Sequence, residues 1–164
     1  MHTNDLIVLF DYNYWARDKI LAAASQLNPA QLTEAAMPSY SSMLGVLTHL
    51  LNAENLWRIR CQQRESPSSV KFVDPLPTLS ALEEQWQAEE RLMRAYLHTL
   101  DEEQLQERIQ YKGTGGGEFE NLLWQILVQL VNHGTSHRGE LAWRLTELGR
   151  SPGDLDFIIY LRAS

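Results

Sequence analysis

The chain has 164 residues, 44% apolar and 21% charged, a balance that excludes disorder and suits one core and a single domain over residues 1–164. Lys and Arg number 14 against 21 Asp and Glu, a net charge of −7, so a phosphate backbone is repelled and nucleic acid is not an expected partner. No apolar run reaches the roughly 20 residues that span a bilayer and no basic-then-apolar leader opens the chain, which sets a cytoplasmic location, away from membranes, as the expectation. Cys61 is the single cysteine, so any metal must be held by nitrogen or oxygen.

Leu6, Phe10, Ile20 and Leu27 recur at helical spacing, with Asn13 on the same stripe, until Asn28-Pro29 breaks the pattern. They predict a first helix over 5–27. Ser41 or Ser42 can cap a second helix, running to about residue 64, whose stripe includes Val46, Leu50, Ala53 and Trp57, and His49 lies on that stripe. Turn formers from Ser66 to Pro77 predict a surface loop. Ser80 and Glu83 have capping-box spacing, and Leu82, Trp86, Met93 and Leu97 give a third helix ending near Leu100, with a short helical turn at Glu102 to Leu105. The segment from Arg108 to Gly117 reads as an irregular or hairpin connection, and the absence of a following Lys-Ser or Lys-Thr rules out a phosphate-binding loop. A long fourth helix, Leu122 to Leu148, is stopped by Gly149 and Pro152. Four such stripes predict an all-α four-helix bundle, with a looser all-α fold as the alternative.

In the fourth helix Leu123, Ile126, Leu130, His133, His137 and Leu141 recur at spacings of three and four. Both histidines therefore lie on the core-facing stripe, where their Cβ atoms are about 5–6 Å apart and can aim at one ion. Five histidines scattered at random would give only about 0.15 such pairs. Buried imidazoles need partners, which a metal, a hydrogen-bond network or a water-filled cavity can supply. His49 can face this pair across the bundle, and three His ligands leave a tetrahedral ion one open position, as in catalytic zinc sites. Three hydrogen-bonded core histidines are the competing reading.

The run Asn132-His133-Gly134-Thr135-Ser136-His137-Arg138-Gly139-Glu140 resembles the signature of the DinB-like (DinB/YfiT-like) metalloenzymes. Tyr12-Asn13-Tyr14-Trp15, His49 with Glu54 and Trp57, and Asp156 to Leu161 are similar to further family positions. The resemblance implies a commonly dimeric four-helix bundle whose zinc or nickel ion is held by a triad mapping onto His49, His133 and His137. Its characterised members include transferases and isomerases that use low-molecular-weight thiols such as bacillithiol or mycothiol. Ser136 stands where many members have another His, and Glu140 where many have Gln, departures that bear on reactivity more than on metal.

Glu54 is about 140° around the helix from His49 and is expected in a supporting or structural role. Cys61 lies about 18 Å along the same helix and reads as a buried hydrophobe. His98 is expected at a solvent-facing helix end and His2 in the terminus. The tryptophans are expected in the core. Gly134 and Gly139 each weaken the helix by about 1 kcal/mol, which calls for a packing or access reason. Arg138 is expected to meet an anionic substrate or another carboxylate. The residues predict a divalent-metal-binding protein, and the resemblance implies a metal-dependent thiol S-transferase acting on a small-molecule substrate. The alternatives are a non-catalytic metal-binding stress-response protein and a metal-dependent hydrolase. A zincin-type protease is disfavoured because no base sits at fixed spacing to the His pair.

Overall fold

The computed structural model describes residues 1–64, 76–113 and 116–163. Its long helices are α1 (Thr3–Ala24), α3 (Met43–Gln63), α4 (Leu79–Leu97) and α5 (Leu123–Glu147), with short helices α2 (Pro29–Thr33) and α6 (Phe157–Ala163). α1 ends three residues before the predicted Leu27, because Asn28 caps α2 by accepting from Gln31 N at 3.0 Å and Pro29 supplies the preset φ of a first helical position. Ser42 caps α3, accepting from Gly45 N at 3.0 Å. The cap of α4 is Thr78 rather than Ser80: its hydroxyl accepts from Ala81 N at 3.2 Å. That helix stops at Leu97, and the predicted turn at 102–105 is a 3-10 turn over Gln104–Gln106. Gly149, at φ +71°, takes the left-handed position that follows the end of α5.

β1 (Arg108–Lys112) pairs antiparallel with β2 (Glu118–Leu122), in the register Arg108 opposite Leu122 and Lys112 opposite Glu118. Thr114 and Gly115 of the glycine-rich stretch, and residues 65–75 of the expected Ser66–Pro77 loop, lie outside the described residues.

α1 packs on α5 and α4, α3 packs on the same two helices, α2 lies on α3, and α6 on α1. One part of the core gathers Leu6, Phe10, Met93, Leu123 and Leu127, and the other Ile20, Leu47, Leu50, Leu82 and Trp86. Each such side chain contributes roughly 1.5–3 kcal/mol when fully buried. Polar stitches cross the apolar layers. Glu54, 2% exposed, accepts from Tyr14 Oη at 2.5 Å and Trp86 Nε1 at 3.0 Å, which joins α1, α3 and α4 and confirms a structural role for this carboxyl. Arg58 forms a buried ion pair with Glu89. Among the described residues, no helix is long and apolar enough to cross a membrane.

Candidate metal centre

His49 comes from the second turn of α3, and His133 and His137 from the middle of α5, so the contact between those two helices brings the three rings together. Ring centres are 5.0 Å apart for His49 and His133, 4.9 Å for His49 and His137, and 4.7 Å for His133 and His137. Each ring offers one nitrogen such that the three lie within 4.8 Å of one another, and His49 Nε2 is 3.1 Å from His133 Nε2. The set fits a divalent ion by its chemistry: three imidazoles converge, and borderline ions such as zinc and nickel take imidazole nitrogen.

The histidines are half-buried, not core residues, because the stripe they share with Leu130 and Leu141 emerges here at the mouth of a cavity. Burial and the like charges of His133 and His137 push the His49 pKa down to about 4, and burial then His137 lower that of His133. Both rings are therefore neutral near pH 7 and keep a lone pair for a ligand bond. His137 is oriented differently. Its Nδ1 is 3.2 Å from Glu140 Oε2, an arrangement in which a carboxylate holds the proton on Nδ1 and leaves Nε2 as the donor. Burial alone would raise the Glu140 pKa, but hydrogen bonds from Ser39 and His137 outweigh it and hold this carboxyl below its usual range.

Glu140 also accepts from Ser39 N at 3.1 Å and Ser39 Oγ at 2.8 Å, which pins the segment before α3. The neighbouring Tyr40 ring consequently stacks on His49, with centres 3.8 Å apart and planes 15° off parallel. Gly45 makes this approach possible, since a Cβ there would stand 2.2 Å from the Tyr40 carbonyl oxygen, well inside contact distance. Ser41 takes φ +60° to complete the turn, an uncommon conformation for a residue with a side chain. Sequence periodicity finds the three histidines but not Tyr40, Ser39 or the role of Glu140. The one local signal is a glycine inside the apolar run from Met43 to Leu47 that opens α3.

A cavity of about 660 Å³ opens from His49 and His133 and runs along α3 past Asn52, Trp57 and Arg60, with Tyr111 and Phe119 of the hairpin as its far wall. Trp57 is thus a wall residue rather than core, and Trp143 is 57% exposed, whereas Trp86 is buried as expected. The expectation of an anionic partner for Arg138 is corrected. That side chain is 3% exposed and turns inward, donating to Asn13 Oδ1 at 2.6 Å and Thr135 Oγ1 at 3.1 Å. Gly134 supplies the room: a Cβ there would lie 2.7 Å from Arg138 Nη1, whereas one at Gly139 would meet nothing within 4 Å. Cys61 is fully buried, and burial pushes its thiol up to about 12. His98 is exposed just past α4, and His2 caps α1, its backbone N–H donating to Asp5 Oδ2 at 2.8 Å.

A sequence model described as the DinB family matches residues 1–164. Protein DinB of Bacillus subtilis (strain 168) is 27% identical over 163 residues, covering 93% of this chain and 91% of the relative. A crystal structure of a DinB-like protein from Bacillus cereus ATCC 10987 superposes with a TM-score of 0.70, over 94% of this chain and 99% of that one. At 13% identity this second likeness speaks for the fold alone.

Proposed function

Because the chain belongs to the DinB family, we propose that it is a metal-dependent transferase in which a zinc or nickel ion, held by His49, His133 and His137, activates a low-molecular-weight thiol. The observation that carries this reading is the convergence of three imidazole nitrogens within 4.8 Å at the mouth of a cavity large enough for a small substrate. When bound, a divalent ion held by neutral ligands keeps its full charge and acidifies a coordinated thiol or water. The chain's own residues prepare that site. His49 and His133 stay deprotonated at neutral pH, Glu140 fixes the tautomer of His137, and Tyr40 covers one face of His49 and limits the approach of water from that side.

The chain supplies no thiol nucleophile itself, since Cys61 is its only cysteine and is buried with a raised pKa. The thiol must therefore arrive as a co-substrate, which suits the reducing cytoplasm. In this reading α1, α3, α4 and α5 are the helices of a four-helix bundle forming one domain, and the protein acts as a homodimer. Light scattering should give twice the mass of one chain at micromolar concentration.

The decisive experiment pairs elemental analysis with an activity assay. Purified protein should carry about one zinc or nickel ion per chain, and His133→Ala should lose most of it. Metal-loaded protein should conjugate a small thiol to a chromogenic electrophile faster than chelator-treated protein. Equal rates with and without metal, across a panel of thiols, would leave a metal-binding protein that catalyses nothing.

A further inference from the structure

The cavity beside the histidines has a second chemical end. Arg60 follows Trp57 by one turn on α3 and is 7% exposed, with its guanidinium carbon 4.7 Å from the Trp57 ring centre and 5.4 Å from that of Tyr111. Its Nη2 donates to the Lys112 carbonyl at 2.6 Å, and its Nε has no hydrogen-bond partner among the described residues. Arg17, Arg58, Arg94 and Arg144 each reach a carboxylate. Among the described residues, Arg60 forms no ion pair with one. A guanidinium kept from water by two ring faces and one neutral carbonyl is only partly compensated. Burial accordingly pulls its pKa below the ordinary range, though an arginine stays charged at neutral pH.

Arg60 is eleven residues past His49, about 16 Å along the helix axis by its rise per residue. Between the two, Ala53, Leu56, Trp57, Tyr111 and Phe119 make most of the cavity wall apolar, with Thr48 and Asn52 as its polar members. A largely apolar passage with a cation at one end and imidazoles at the other suits an amphipathic ligand with its charge at a terminus. We infer that the cavity binds an elongated organic anion, its carboxylate, sulfonate or phosphate on Arg60, its apolar body between Trp57, Tyr111 and Phe119, and its opposite end at His49 and His133. The anion subsite stands on Arg60 and the cavity alone, and only the role of the opposite end rests on the metal-dependent reading above. A merely structural Arg60, holding the hairpin through Lys112, would not discriminate ligands by charge.

The test uses two probes of one shape, naphthalene-2-sulfonate and the uncharged, non-ionisable 2-(methylsulfonyl)naphthalene, titrated calorimetrically into the full chain with and without zinc. The sulfonate should bind about tenfold or more tighter than the sulfone, as charge-assisted hydrogen bonds to a guanidinium provide. Arg60→Gln should reduce that ratio to near one, Arg60→Lys should keep part of it, and Ala53→Trp, which fills the passage, should weaken both probes. The ratio should be the same in metal-free protein. Absence of binding by both probes, equal binding in the wild type, a ratio that survives Arg60→Gln, or unweakened binding in Ala53→Trp would each overturn the assignment. A preference seen only with zinc present and lost in metal-free protein would place the anion on the ion instead, overturning the Arg60 subsite while leaving the metal reading intact. Should Arg60→Gln fail to fold, the wild-type ratio, Arg60→Lys and Ala53→Trp still decide.

Discussion

Two glycines five residues apart on α5 should respond to alanine in opposite directions. In an unobstructed helix position Gly→Ala stabilises by about 1 kcal/mol, since the glycine backbone loses more freedom on folding. Gly139 is such a position, exposed and with nothing within 4 Å of the place a methyl would take. Gly134 gains the same propensity, but its new Cβ would stand 2.7 Å from Arg138 Nη1 and 3.0 Å from Asn13 Oδ1. Arg138 is the end of a flexible side chain, yet it is 3% exposed and held at 2.6 Å by Asn13, so moving it disrupts a buried charge-assisted hydrogen bond. Losing such a bond costs about 1.5–3 kcal/mol, which exceeds the propensity gain. Gly134→Ala should therefore be destabilised by about 0.5–2 kcal/mol and Gly139→Ala stabilised by up to about 1 kcal/mol, shifts of about 2–4 °C in Tm per kcal/mol for a chain of this size. Thermal unfolding followed by circular dichroism in chelator, which removes any contribution from metal at His133, measures both. If Gly134→Ala raised Tm as much as Gly139→Ala, the account of Gly134 as the space for the Arg138–Asn13 contact would be wrong.

Removing the carboxylate in Glu140→Ala frees both His137 and Ser39 and should weaken metal binding about 10–100-fold in competition with a chelating dye, the usual effect of losing such a support. Glu140→Gln should keep most of the affinity, because its amide oxygen still accepts from Nδ1–H; equal affinities in Glu140→Ala and wild type would refute the orienting role. Cys61→Ala should leave thiol conjugation nearly unchanged, and in native protein Cys61 should react with a thiol reagent only as fast as the chain opens, with rapid native labelling as the contrary result. Glu90 accepts from Arg17 Nη2 at 2.6 Å and Arg94 Nε at 2.7 Å. Burial would raise its pKa, but those hydrogen bonds and charges outweigh it and the net shift is downward. A depressed carboxyl stabilises the fold above its unfolded pKa and loses that contribution as pH falls through its folded value. The stability gap between wild type and Glu90→Gln in urea should thus be largest at pH 7 and shrink below about pH 4, whereas a gap independent of pH would remove charge as its source.

The long helices are legible in the sequence because each buries a stripe of period 3.6, and the histidine triad because imidazoles on such a stripe break its chemistry. Periodicity does not say how deep a stripe lies at each residue. His133 and Leu130 fall on one line, yet the histidine is half-buried and the leucine is core, because the neighbouring helices leave a cavity at that level. Arg138 misleads for the same reason in reverse: an arginine beside a metal site suggests a substrate, and its inward partner Asn13 lies 125 residues away. Tyr40 over His49 and the hairpin wall likewise depend on contacts between remote segments. The cap of α4 falls two residues before the expected Ser80 because Thr78 and Ser80 both offer a hydroxyl at a helix start, and only the backbone conformation distinguishes them.

The hairpin gives the molecule two separately adjustable parts. The imidazoles sit on helices whose spacing is fixed by the packed interior, while Tyr111 and Phe119 sit on a two-stranded ribbon, where they pair directly with each other across the strands. Substitutions at Tyr111 or Phe119 can thus reshape the far wall of the cavity without disturbing the helices that hold His49, His133 and His137.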